Sequence, residues 1–165
     1  MVQASDPDIL SDFIPPSSNP NGVDGNFFTF TGLRGIFNQA PTTFKDTKVS
    51  NAEFPALNGQ SVSLAILQFP AGGVNPPLTH PRATGLLFVV GGSLEGLVHY
   101  QYNANANANE PATAIAAFGS ANPGTALLPI TLFASGVDDE ILAKSFKTDV
   151  ATIQKLKAGL APPKA

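Results

Sequence analysis

The two histidines of the sequence, His80 and His99, lie within the stretch 72–103 and are its clearest candidates for chemistry. His80 follows a proline-rich turn at residues 75–77, and His99 sits inside the strand-like run Leu97–Tyr102. Imidazole is the commonest metal ligand among side chains, so two histidines on neighbouring strands could share a cation. The alternative is that both are ordinary hydrogen-bonded residues. The pattern predicts a metal pocket with an incomplete set of ligands.

Short strands joined by turns must position these histidines, because the sequence has 15 Gly, 15 Pro and 12 Phe and little helical periodicity before residue 135. Apolar alternation or a continuous apolar run predicts strands at Asn26–Ile36, Phe44–Val49, Ser61–Phe69, Leu86–Val90, Leu97–Tyr102, Thr113–Phe118 and Ala126–Phe133. Since Leu86–Val90 is apolar throughout, we expect both of its faces to be covered. The tract NANANAN at 103–109 predicts a solvated hairpin loop.

After residue 135 the apolar spacing changes to about 3.6 residues, which predicts two C-terminal helices. The first begins with the acidic residues 138–140, and Asp149 is placed to cap the second. Leu142 and Leu156 lie on the apolar faces of these helices, and we expect both to contact a second subunit.

The chain therefore divides into three parts. These are an N-terminal extended arm at 1–25, a β domain at 26–134 and C-terminal helices at 135–165. The fold class is mainly β.

Composition limits the classes of protein that the chain can belong to. Its 165 residues, 43% of them hydrophobic, suffice for one domain with a real core. Nine Lys and Arg residues without a cluster, and a net charge of -3, argue against a nucleic-acid partner.

There are no cysteines, so disulfides and thiolate metal sites are excluded. No apolar run is long enough for a membrane span, and residues 1–5 are at most the stub of a secretory signal.

The sequence resembles the germin-like proteins of plants, which are members of the cupin superfamily, along almost its whole length. The stretches that carry the resemblance are SDPDILSDF, VDGNFFTFTGLRGIF, AEFPALNGQSVSLAILQFPAGGVNPP, THPRAT, GLVHYQYN, AFGSANPGT and DDEILAKSFKTDVATIQKLK. The resemblance implies a cupin jelly-roll barrel with C-terminal helices, secreted to the apoplast, linked to plant defence and assembled as a homo-oligomer, usually a hexamer. It also implies one manganese ion, held at the positions of His80 and His99.

The first metal motif of that family reads Gly, five residues, His-x-His, three or four residues, Glu, six residues, Gly. Here the spacing runs intact from Gly72 through His80 to Gly92, but Leu78 stands in place of the first histidine and Gly85 in place of the glutamate. The second motif reads Gly, five residues, Pro, four residues, His, three residues, Asn. Its end survives as His99 and Asn103, whereas its Gly and Pro positions are Phe88 and Leu94.

The chain also passes directly from Leu94 to Glu95, where the family carries enough residues for two or more further strands. We therefore predict a barrel shortened at this point, either rearranged into a smaller one or poorly folded.

The substitutions at Leu78 and Gly85 change which metal ion the site could bind. Manganese(II) favours near-octahedral sites that mix oxygen donors with imidazole, and Leu78 and Gly85 supply no donor. A site reduced to His80 and His99 is better suited to copper, nickel or zinc, with Glu95 as a possible replacement oxygen ligand.

Three hypotheses about function follow. The first is a secreted germin-like cell-wall protein with a degraded manganese site and no oxalate oxidase activity. The second is an active manganese-dependent oxalate oxidase or superoxide dismutase. The third is a metal-free structural or binding module.

Overall fold

Three antiparallel sheets and a group of helices make up the described part of this computed structural model, which covers residues 11–18, 20–94, 100–105 and 110–160. The strands are β1 (Lys45–Val49), β2 (Ser63–Phe69), β3 (Val74–Asn75), β4 (Leu78–Thr79), β5 (Gly85–Gly91), β6 (Gln101–Tyr102), β7 (Ala112–Phe118) and β8 (Ala126–Leu127). The helices are α1 (Leu128–Phe133), α2 (Asp139–Phe146) and α3 (Val150–Leu160), and a 3₁₀ turn covers Pro55–Leu57.

The largest sheet has the strand order β1-β2-β7-β5, with every neighbouring pair antiparallel. Side chains alternate between the two faces of this sheet, so the residues of β2 and β7 that point to the same face form an apolar core. Its core consists of Ala65, Leu67, Phe69, Ala112, Ala114, Ala116 and Phe118, with Phe44, Ala83 and Leu94 packed against it. The predictions of strands at β1, β2, β5 and β7 are confirmed.

Two small sheets pair β3 with β6 and β4 with β8, and both β3 and β4 belong to the first metal motif at 72–92. The first is extended by backbone hydrogen bonds from Gly72 to Asn103 (2.9 Å) and from Asn103 to Gly73 (3.0 Å). Asn103 is fully buried, and its amide donates to the carbonyls of Pro70 (3.1 Å) and Glu110 (3.0 Å). The solvated loop predicted for 103–109 is therefore wrong at its first residue, and 106–109 lie outside the described residues.

The described strands do not close into a barrel. The strands are followed by C-terminal helices, and the three sheets remain separate. The physical reason lies at β5, which pairs with β7 on one side and with none of the described strands on the other. The closed, shortened barrel predicted from the resemblance is corrected to an open arrangement.

Strand β5 is also far more exposed than predicted. Leu86 is 73% exposed, Phe88 66% and Val90 54%, although a continuously apolar strand was expected to be covered on both faces. The apolar sequence of β5 is typical of a strand with both faces buried. The part of the chain that the structure describes does not bury these faces.

The strand predicted at Asn26–Ile36 is wrong. Successive turns occupy this stretch, with backbone hydrogen bonds from Phe27 to Asp24 and from Thr29 to Asn26, each 3.1 Å. The Asp24 carboxylate accepts hydrogen bonds from the backbone N–H groups of Asn26 and Phe27, so the local side chain satisfies donors that a strand would give to a neighbour. The rings of Phe27 and Phe28 instead contact each other and Phe13.

The strand predicted at Ala126–Phe133 is correct only for Ala126–Leu127, since α1 begins at Leu128. Pro129 lies in the first turn of this helix, where the fixed backbone angle of proline favours a helical start.

Helices α2 and α3 confirm the predicted C-terminal pair, with Asp138 and Asp149 accepting the first backbone hydrogen bonds of each. Leu142 packs with Ala143 and Ile153 inside the chain and is 4% exposed, so its predicted contact to a second subunit is wrong. Leu156, at 43% exposed, remains accessible. Among the described helices, none combines the length and apolar character that crossing a membrane requires.

Candidate functional site

His80 follows β4 directly, and a hydrogen bond fixes its imidazole. Its Nδ1 lies 2.7 Å from the carbonyl oxygen of Gly124. Because a carbonyl only accepts, Nδ1 carries the hydrogen, and Nε2 of the neutral ring keeps its lone pair. Histidine ligands commonly have this arrangement, with one nitrogen donating to a carbonyl and the other left for a metal. The ring also lies against Phe118, with centroids 4.4 Å apart and planes inclined by 57°.

Arg82 holds the two residues that precede Gly124. The Arg82 guanidinium donates to the backbone oxygen and to the side-chain oxygen of Asn122, each at 2.7 Å, and the backbone N–H of Arg82 donates to Pro123 at 3.2 Å. Gly124 has a φ of +68°, and a Cβ there would lie 2.9 Å from the guanidinium. Glycine is therefore required both by the backbone conformation and by the close approach of Arg82.

His80 faces a cavity of about 690 Å³ on the core side of the large sheet. Apolar side chains from several strands form most of its wall, among them Phe44, Leu67, Leu87, Val89 and Phe118. Polar side chains also line it, among them Asp46, Lys48, Asn75, His80, Tyr100 and Gln101. The Asn75 amide donates to the Gln101 side-chain oxygen at 2.7 Å, so part of this polar set is already paired within the wall.

The two altered motif positions border this same cavity. Leu78 is 5% exposed and belongs to β4, which pairs with β8. Gly85 opens β5 opposite Phe118, and a Cβ at Gly85 would lie 3.2 Å from Cε1 of that ring. The structure thus places Leu78, His80 and Gly85 together in the cavity wall, as the spacing of the first motif predicts, but only His80 carries a donor.

The remaining predicted metal residue, His99, and the proposed substitute Glu95 lie outside the described residues. Their assignment as ligands stays a prediction.

Sequence reasoning missed Asp46, the carboxylate in the cavity wall. It lies on β1 with Lys48 on the same face two residues later, and its Oδ2 is 3.8 Å from the Lys48 ammonium. Burial raises the pKa of the Asp46 carboxyl above its ordinary value, while Lys48 and the His80 imidazole act in the opposite direction. The signal was the alternation of Phe44, Asp46 and Lys48 along a strand paired with the core strand β2.

The described donors do not fit a manganese ion. Among the described His, Cys, Asp and Glu residues, His80 and Asp46 line the cavity, and no group of three or more such residues able to hold a metal occurs in the described ranges. Near-octahedral manganese needs a larger set of oxygen and nitrogen donors, and at two wall positions this chain has Leu78 and Gly85.

Comparisons with known proteins agree with this architecture. The family model described as Cupin matches residues 35–99 and 94–154. A germin-like protein of Oryza sativa subsp. japonica is 50% identical over 193 aligned positions, covering 99% of this chain and 89% of that protein. Germin-like protein 9-3 of the same organism is 46% identical, covering 99% and 90%. A solved oxalate oxidase structure superposes with a TM-score of 0.78 at 26% identity, covering 97% of this chain and 100% of the other.

The comparisons also indicate missing residues. The 193 aligned positions exceed the 165 residues of this chain by 28, so at least 28 positions of the alignment have no residue of this chain opposite them. The two matches to the family model meet at residues 94–99, which agrees with the predicted loss between Leu94 and Glu95. On the family match and the near-full-length identity to the rice proteins, the chain belongs to the germin-like proteins of the cupin superfamily.

Proposed function

We propose that this chain is a secreted germin-like protein of the plant cell wall that does not carry out manganese-dependent oxalate oxidation. The similarity to oxalate oxidase supports a common fold and a common position for the pocket. The family resemblance supports the apoplast as its location, a link to plant defence and assembly into a homo-oligomer. The loss of oxidase activity is argued from the pocket itself.

The observation that carries the proposal is the pair Leu78 and Gly85 in the cavity wall beside His80. Metal-assisted oxidation requires an ion held by several ligands with open positions for substrate. An isobutyl side chain and a missing side chain contribute neither charge nor lone pairs. The Phe118 ring further occupies the space that a side chain at Gly85 would enter, since its Cε1 is 3.2 Å from the Cβ position.

A second function, a metal-free binding pocket, is favoured by the same cavity. Its volume of about 690 Å³ falls in the range of small-molecule sites, and its wall is apolar apart from a few polar groups. Asp46 and Lys48 offer charges of opposite sign at one side of this wall. An apolar molecule with a single polar end would match such a surface.

We also propose the division into an arm at 1–25, a β-domain at 26–134 and helices at 135–165 as the organisation of the whole chain. Limited proteolysis tests it: early cleavage near residues 25 and 134, leaving a resistant β-fragment, supports the division. Early cleavage inside β2 or β7 contradicts it.

Oxygen consumption after addition of oxalate tests the proposed loss of activity. The purified chain, supplied with excess manganese(II), is expected to consume no oxygen above a protein-free control, whereas an authentic oxalate oxidase does. Oxalate-dependent oxygen consumption that disappears in a His80→Ala variant would contradict the proposal and restore the manganese enzyme as the better hypothesis.

A further inference from the structure

Strand β5 is an edge of the large sheet with unusual properties. In an antiparallel strand every second residue directs its N–H and C=O away from the paired neighbour, and none of the described strands pairs with the side of β5 opposite β7. Its side chains are apolar and exposed on both faces, from 38% at Leu87 and Val89 to 73% at Leu86. An edge of this kind is a template for pairing with a further strand.

The position of the missing residues explains why this edge is open. The two matches to the family model meet at residues 94–99, directly after β5, and at least 28 aligned positions of the rice relative have no counterpart here. Such a length is enough for several strands of ordinary size. The sequence of β5 has nevertheless kept the composition of a covered strand.

The two edges of the sheet differ in charge. Strand β1, at the opposite edge, reads KDTKV and carries three charged side chains, which discourage pairing with another strand. Strand β5 reads GLLFVVG and carries none, and residues 83–94 around it are also uncharged. Two copies of β5 can therefore approach without repulsion, whereas two copies of β1 cannot approach as freely.

The sequence of β5 is nearly symmetric about Phe88. A two-fold axis through this residue in an antiparallel pair would place Phe88 opposite Phe88 of a second copy, Leu86 opposite Val90, and Leu87 opposite Val89. Glycines 85 and 91 would then face each other at both ends. The β-bulge between Val89 and Gly91 is confined to one end of β5 and leaves residues 87–89 in regular register.

We propose that β5 of one copy pairs antiparallel with β5 of a second copy, with Phe88 on the two-fold axis, so that one sheet continues through both chains. The contact uses the same surface on each chain and has one β5 edge per copy, so it closes as a dimer and does not extend into a fibre. Assembly of this kind replaces the strands that the chain lacks, and it is independent of the metal content of the pocket.

The mass in solution gives the first test. Light scattering should give twice the chain mass of 17.1 kDa for the unaltered protein, and half of that value for Phe88→Lys. Because Phe88 is 66% exposed, the substitution removes little packing within one chain, and an unchanged far-ultraviolet dichroism spectrum checks that the variant is folded. A folded Phe88→Lys variant that keeps the mass of the unaltered protein would overturn the proposal.

Cysteine cross-linking tests the register, since the chain has no cysteine of its own. Under mild oxidation Phe88→Cys should form a disulfide-linked dimer, because directly opposite residues have Cα atoms within disulfide reach. Leu86→Cys is the matched control on the same face: the two equivalent positions would be about 13 Å apart along the strands and should not cross-link. Equal cross-linking of both variants, or none for Phe88→Cys, would overturn the register.

Discussion

The His80 imidazole rests on the Phe118 ring, with ring centroids 4.4 Å apart, and the same ring lies 3.2 Å from where a side chain at Gly85 would begin. Phe118 therefore contacts the surviving histidine and would also contact a side chain at the position where the family motif has a glutamate. The ring is 8% exposed and belongs to the core of the large sheet, so it cannot move without cost.

This relationship predicts that Gly85→Glu is destabilising. The new side chain meets Phe118 at its first atom, and overpacking of a core by such a contact costs about 1–3 kcal/mol. Gly91→Glu is the matched control on the same strand, because a Cβ there meets no atom within 4 Å. Since both glycines lie in the proposed β5 contact and a charge at either affects it, urea unfolding should show a lower midpoint for Gly85→Glu than for Gly91→Glu. Equal midpoints would mean that the space at Gly85 is open.

Asp46 gives a prediction about pH. Its pKa is raised above the ordinary value of 3.8, first by burial, so the native chain holds this proton to a higher pH than the unfolded chain does. The native state then binds more protons across that interval, and the free energy of unfolding falls as the pH rises from 3.8 through the raised pKa. Lys48 and His80 oppose the shift, and Glu53 adds to it.

Asp46→Asn should therefore be more stable than the unaltered chain at neutral pH, and the difference should shrink as the pH falls toward 3.8. Other carboxylates, among them Asp24 and Asp149, have lowered pKa values that contribute in the opposite direction, and they are common to both proteins. Urea titrations at several pH values provide the comparison. A variant that is less stable at neutral pH would show that the Asp46 charge is stabilising.

The hydrogen bond between His80 and Gly124 predicts the tautomer of the ring. In the neutral state Nδ1 carries the hydrogen, and Arg82→Ala should weaken this preference because it removes the two hydrogen bonds to Asn122 that hold the turn leading to the Gly124 carbonyl. Nitrogen chemical shifts of the imidazole report the tautomer, and with two histidines in the chain a His80→Gln variant assigns the signals. A predominant Nε2–H form in the unaltered protein would contradict the described geometry.

Two apolar positions of α3, Ile153 and Leu156, should differ in the free energy of unfolding that is lost when each is replaced by alanine. Ile153 is fully buried among Leu142 and Ala143, so Ile153→Ala should cost about 2–5 kcal/mol in the free energy of unfolding. Leu156→Ala, at a position 43% exposed on the same helix, should cost far less. Thermal unfolding of the two variants measures the difference. Similar losses would indicate that Leu156 is buried by another chain.

Much of the fold could be predicted from local patterns. Period-two alternation and continuous apolar runs predicted the positions of β1, β2, β5 and β7 correctly. These strands hydrogen-bond with one another, as the strand-favouring residues within them indicate. The helices α2 and α3 were predicted from their spacing and from Asp138 and Asp149, whose side chains cap them. Such features depend on neighbouring residues, so the sequence carries them directly.

Other features depended on contacts that spacing does not encode. Phe27 and Phe28 resemble part of a strand, yet Asp24 satisfies the local backbone donors and the rings pack on Phe13. The exposure of β5 could not be predicted from its own residues, because it depends on which strands lie beside it, and only β7 does so among the described strands. Asp46 lies in the cavity wall because β1 pairs with β2. This pairing brings together positions about twenty residues apart in the chain.

The most direct test of the account is the metal content of the chain purified without chelator, measured by plasma mass spectrometry beside a His80→Ala, His99→Ala variant. We expect manganese far below one ion per chain, and no difference between the two proteins, since Leu78 and Gly85 supply no ligands. Manganese near one ion per chain that is lost in the variant would contradict the account and would show that residues 95–99 complete the site.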